Sequence, residues 1–197
     1  MPKPYYGEAA QLIDAGEYDA VITHVINLGH QAFKDREITK FWIEFWIPSL
    51  NTSKPLSNFG ITSWLSPSKP PFVGFYELIS AVTNNPLLTQ DEAKAYDVFQ
   101  LAGKSVKLVF AQNEKGFMNI SAVQHSDETL VAPEELITVG VEDFDNTELL
   151  DKIPEKARNL IWFSREQTGT GNKDVFETVQ IKGDDEKELR IEDVPFN

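Results

Sequence analysis

The chain has 197 residues, 41% hydrophobic and 11% aromatic, enough to bury one ordinary core and to build one domain or a domain with an appendage. It has no cysteine and three histidines, His24, His30 and His125, far apart in sequence, which excludes disulfide frameworks, zinc ribbons and thiol nucleophiles and predicts no metal or cofactor. The net charge of −13 is uneven: up to His125 there are 10 Lys+Arg against 12 Asp+Glu, net −2, which leaves 8 against 19, net −11, for the remainder.

Residues 17–26, rich in β-branched side chains and followed by Leu28-Gly29, predict a first strand that ends at that glycine. Residues 40–47 predict a second, stopped by Pro48, and residues 56–65 a third. A proline-rich stretch then gives way to Phe72, Phe75, Tyr76, Ile79 and Val82, spaced as one face of a helix. Thr89 caps a second helical stretch that carries Asp91 and Glu92 in its first turn and runs to Leu101. Residues 105–111 and 117–125 predict two more strands joined by a turn. Beyond Asp127 the pattern is less regular. Residues 136–141 fit a strand, residues 149–163 a short helix followed by a strand, and Trp162 and Phe163 are expected to pack inward. After Gln167 the composition turns to Thr, Gly, Asn, Lys, Asp and Glu, which predicts a flexible acidic tail.

These elements predict a mainly β protein: an OB-fold-like five-stranded barrel with a helical insertion between strands three and four. The expected division is a barrel over 1–125, an extension packing on it over 126–167, and a tail over 168–197. The three histidines are expected to be surface or satisfied residues. No run approaches the roughly 20 apolar residues of a membrane span, and Met1-Pro2-Lys3-Pro4-Tyr5-Tyr6 lacks the apolar centre of a signal peptide, so a cytoplasmic protein is expected.

Side chains alternate across a strand, so Phe41, Ile43, Phe45 and Ile47 share one face of the second strand while Lys40, Trp42, Glu44 and Trp46 share the other. The first set predicts core. The second puts two tryptophans beside a lysine, with Glu44 between them marking a partly solvated face, and base stacking on such rings is worth about 1–3 kcal/mol per base whatever the sequence. Trp64 on the third strand adds a ring. Lys34, Arg36, Lys107 and Lys115 are placed around the platform to meet phosphates, and Phe117, opening the fifth strand, completes the expected single-stranded DNA surface. The competing reading buries these tryptophans under the helices or under residues 136–163.

The C-terminus runs Ile191-Glu192-Asp193-Val194-Pro195-Phe196-Asn197, an acidic stretch ending in a small apolar hook that fits a pocket with a basic rim. It resembles the tip of bacterial and phage single-stranded DNA-binding proteins, which end Asp-Asp-hydrophobic-Pro-Phe. Asp193, Val194, Pro195 and Phe196 match, Glu192 replaces the usual Asp, and Asn197 adds a residue after the Phe whose carboxylate that family presents. The body is similar to phage replication-module single-strand binders: Gly16-Glu17-Tyr18 and Leu28-Gly29-His30-Gln31 stand at the two ends of the first strand, followed by a strand of the Phe-Trp-Ile-Glu-Phe kind, Thr62-Ser63-Trp64-Leu65 and Leu101-Ala102-Gly103-Lys104. The resemblance implies an OB-fold, sequence-independent DNA binding in phage replication or recombination, and replication or recombination proteins recruited through residues 192–196.

An enzyme is not expected. Thr168-Gly169-Thr170-Gly171-Asn172-Lys173 lacks the P-loop spacing, and Asp143 and Asp145 have no companion lysine or histidine cluster for metal-dependent nuclease work. The rival from another class is an acidic DNA mimic that binds a DNA-processing enzyme by charge steering. A β-rich structural phage protein is a third reading, and edge strands leave room for a homodimer.

Overall fold

The computed structural model describes residues 13–33, 36–50, 56–62, 74–112, 114, 116, 118–132 and 135–168. The protein is mainly β, as expected. Its strands are β1 (Gly16–Phe33), β2 (Arg36–Trp46), β3 (Leu56–Thr62), β4 (Ser105–Gln112), β5 (Met118–His125) and β6 (Ile137–Val139), and its helices α1 (Phe75–Thr83), α2 (Gln90–Ala95), α3 (Thr147–Leu150), α4 (Glu155–Trp162) and α5 (Arg165–Thr168). The strands lie in the order β3-β2-β1-β4-β5, with β6 also pairing β1. The spatial order β4-β1-β2-β3 is a Greek key, three consecutive strands and a fourth that returns by a long connection to lie beside the first. That connection carries α1 and α2, the expected insertion. The ladder described is an open path from β3 to β5 rather than a closed ring.

Two compact units divide the chain: Met1–Ile26 with Phe41–Thr138, and Asn27–Lys40 with Val139–Asn197. The end of β1 and the start of β2 thus group with the C-terminal helices.

In the first unit the alternation of β2 decides the core. Phe41, Ile43, Phe45 and Ile47 are all buried, joined by Ile22 and Val25 of β1 and by Val106, Leu108 and Phe110 of β4. Helix α1 closes the cluster with Phe75, Leu78 and Ile79; Phe75 meets Phe41 edge-to-face at 4.7 Å between ring centroids. Burial of this kind contributes about 1.5–3 kcal/mol per large apolar side chain. The Thr89 cap forms as read: its Oγ1 accepts from the Glu92 N–H (3.2 Å) while Glu92 Oε2 accepts from the Thr89 N–H (2.8 Å). The helix stops at Ala95, earlier than expected, because Asp97 Oδ1 accepts from the Phe99 N–H (3.1 Å) and starts a separate 3-10 turn over Val98–Leu101. Strands β1 and β4 are antiparallel with Asp19 opposite Lys107 and Glu17 opposite Val109. Between β4 and β5 the register passes from Val109–Ala122 to Phe110–Ile120, which leaves Ser121 as a bulge residue whose Oγ donates to the Val109 carbonyl (3.1 Å).

The second unit corrects two expectations. The first strand does not end at Leu28-Gly29 but continues to Phe33. Gly29 takes a left-handed φ of +73°, and a Cβ there would lie 2.5 Å from Glu166 Oε2 and 2.7 Å from Ser164 Cβ, so glycine is needed for close approach within the strand, not for a stop. Residues 155–162 are helical rather than a strand: Pro154 sits at the N-cap, Glu155 follows in the first turn, and Ala157 and Ile161, one helical turn apart, are buried. Trp162 is 58% exposed and so is not the inward-packing residue expected.

Candidate nucleic-acid interface

The candidate interface is the face of the sheet opposite the core. In the first unit it is formed by Glu17 and Asp19 of β1, Trp42, Glu44 and Trp46 of β2, and Lys107 and Val109 of β4, all out of phase with the core residues.

Toward the β1–β2 turn this face is closed. Trp42 is 5% exposed and Glu44 3%, which overturns the expectation of a solvated Trp-Glu-Trp platform. The reason is a partner from β1: the Trp42 Nε1–H donates to Glu44 Oε1 (3.0 Å), and His24 Nδ1 lies 3.3 Å from Glu44 Oε2. His24 is itself 7% exposed, so the Glu44 carboxyl is buried among polar partners rather than exposed to water. The Thr23 hydroxyl adds a bond to the Glu44 carbonyl (3.3 Å). Lys40, expected beside the tryptophans, is 8% exposed, and burial pulls its ammonium below the ordinary lysine value. Neither Trp42 nor Lys40 is positioned to meet a base or a phosphate.

Toward the start of β1 the face is open. Trp46 is partly exposed, as are Val109 and Ala122 of β5, and Gln124 of β5 is exposed. Lys107 is 33% exposed at its side chain, with its Nζ 3.9 Å from Glu17 Oε2 and Asp19 directly across the ladder. Asp19 in turn accepts from Ser126 Oγ (2.7 Å). Two carboxylates around one lysine leave this patch with one excess negative charge, a feature the reading of lysines alone missed. Adding the alternate residues of β1 to the pattern would have found it.

Lys34, Trp64, Lys115, Phe117 and the tip residues Glu192, Asp193, Val194, Pro195 and Phe196 lie outside the described residues, as does the side chain of Arg36. The interface read from sequence is therefore reduced, among described side chains, to Trp46 and Lys107.

The Leu28-Gly29-His30-Gln31 motif has a local role in the second unit. His30 Nδ1 pairs with Glu166 Oε1, and the His30 N–H donates to Glu166 Oε2 (2.9 Å). Gln31 Nε2 donates to the carbonyls of Leu28 (2.6 Å) and Leu160 (2.9 Å), and Arg165 Nη1 meets Glu37 Oε2 at 2.9 Å. Burial pushes the Glu166 carboxyl up, but the hydrogen bonds from His30 and its charge outweigh this and hold it below the usual value. These contacts clasp α4 and α5 to the outer end of β1.

Among the described residues no group of three His, Asp or Glu is placed to hold a metal ion, and no helix is long and apolar enough to cross a membrane. No protein-family model matches the chain, and no curated protein matches it.

Proposed function

We propose that the protein binds single-stranded DNA without sequence preference, in phage DNA replication or recombination in the host cytoplasm, and that the acidic C-terminus recruits partner proteins. The strand order carries this reading. A Greek key of β1 to β4 extended by β5 is the order of a five-stranded OB-type barrel, which a β3–β5 pairing would close, and barrels of that type bind single strands across the sheet and its loops. Because a fold does not by itself imply a function, support has to come from the site as well. Trp46 and Lys107 keep one end of the outer face available, and Lys34, Arg36, Trp64, Lys115 and Phe117 are the residues that would extend it.

The acidic pair Glu17 and Asp19 beside Lys107 favours a second reading, an acidic DNA mimic directed at a DNA-processing enzyme. Tryptophan fluorescence separates the two. The intact chain and a chain ending at Gly183 are titrated with poly-dT and with a duplex of equal length, at low and moderate salt. A single-strand binder is quenched by poly-dT and not by duplex, more tightly without the tail, which competes for the same cations. Absence of quenching in both chains refutes the proposal and puts the mimic first.

A further inference from the structure

Trp162 is the only aromatic ring, among residues whose side chains are described, that stands largely in solvent. Folding gives no reason for this. Burying an indole stabilises a protein, and α4 already buries Ala157 and Ile161 on its inner stripe. The outer stripe carries Arg158 and Trp162, one helical turn apart and therefore neighbours, with exposed Asn159 beside them. Arg165, with 59% of its side chain exposed, opens α5 three residues after the ring. Residues 151–166 hold Lys152, Lys156, Arg158 and Arg165 against Asp151, Glu155 and Glu166, four positive charges against three, net +1 in a protein of net −13.

From these observations we infer that α4 and the start of α5 form a second contact for single-stranded nucleic acid, with Trp162 stacking on one base and Arg158 and Arg165 meeting the flanking phosphates. The inference rests on the single-strand reading and adds a site on the C-terminal unit to it. Both arginines already have carboxylate partners, Arg158 with Asp151 at 2.6 Å and Arg165 with Glu37 at 2.9 Å. Each of those bonds uses one of five guanidinium N–H groups, and exposed ion pairs are weak, so donors remain for a phosphate. A duplex keeps its bases stacked on each other and offers Trp162 no free base face, so the site selects single strands.

The test is fluorescence anisotropy of a labelled dT oligomer with the full chain, comparing wild type with Trp162→Ala, Trp162→Phe and Arg158→Gln. The expected results are binding about tenfold weaker for Trp162→Ala, most of that loss restored by Trp162→Phe, and a salt slope lower by about 0.7 for Arg158→Gln. Wild-type binding together with Trp162→Ala binding within twofold of it overturns the inference and leaves the sheet reading standing. A Trp162→Ala chain that binds DNA normally but loses self-association in light scattering also overturns it, by assigning the ring to a protein interface. If wild type itself does not bind the oligomer, the proposed function fails and this site fails with it.

Discussion

The two ends of the outer sheet face carry similar residue types and arrive at opposite states. At one end Trp42 and Glu44 are buried with His24; at the other Trp46 and Lys107 are partly exposed and Glu17 largely so. The difference lies in how the acid is matched. Glu44 receives the Trp42 indole N–H and faces the His24 ring, which makes its burial tolerable. Glu17 has only a 3.9 Å approach from Lys107, too loose to offset desolvation, and stays in water. Trp42 and Glu44 are thus held inside by a third residue, His24, about twenty positions away.

Truncation exposes this contrast most strongly. Trp42→Ala is expected to cost about 3–5 kcal/mol of stability and Trp46→Ala no more than about 1 kcal/mol, read from urea unfolding midpoints. Equal costs would contradict the difference in burial between the two rings. Two positive-φ glycines differ in how closely they are packed. Gly29→Ala forces a Cβ to 2.5 Å from Glu166 Oε2 at φ +73°, whereas at Gly116, φ +83°, the nearest atom is Gln112 Nε2 at 3.5 Å. We expect losses of about 3 kcal/mol for the first and about 1 kcal/mol for the second, since only the first adds a collision to backbone strain. Thermal unfolding that ranks them the other way would contradict the close packing at Gly29.

The smallest effect concerns Glu166. Its carboxyl is held below the ordinary 4.5 in the folded chain, so its contribution to stability is present above that value and is lost as pH falls through the lower folded value. Glu166→Gln should therefore unfold at lower urea than wild type at pH 7, with the gap narrowing as the pH falls below 4.5. A gap that persists in acid would show that the pairing with His30 is not its source.

Much of the core was legible locally. Apolar residues at every second position of β2 define a buried face without further information, and Thr89 with Glu92 three residues later defines a helix start. What could not be read depends on residues distant in sequence. Gly29 looks like a strand terminator until Ser164 and Glu166 are known to press against it. Trp42 and Glu44 look solvated until His24 is placed beside them. Ile161, Trp162 and Phe163 suggest a strand by composition, yet the Pro154-Glu155 start and the Ala157–Ile161 spacing favour a helix, a local signal outweighed by β-propensity.

In the proposed function the open end of the sheet, not the closed one, meets single-stranded DNA. The direct measurement is the affinity of a labelled dT oligomer for Trp46→Ala and Trp42→Phe at one salt concentration. Binding is expected to be about fivefold or more weaker for Trp46→Ala and unchanged within twofold for Trp42→Phe, whose ring is buried. Loss of affinity in Trp42→Phe with none in Trp46→Ala would contradict it.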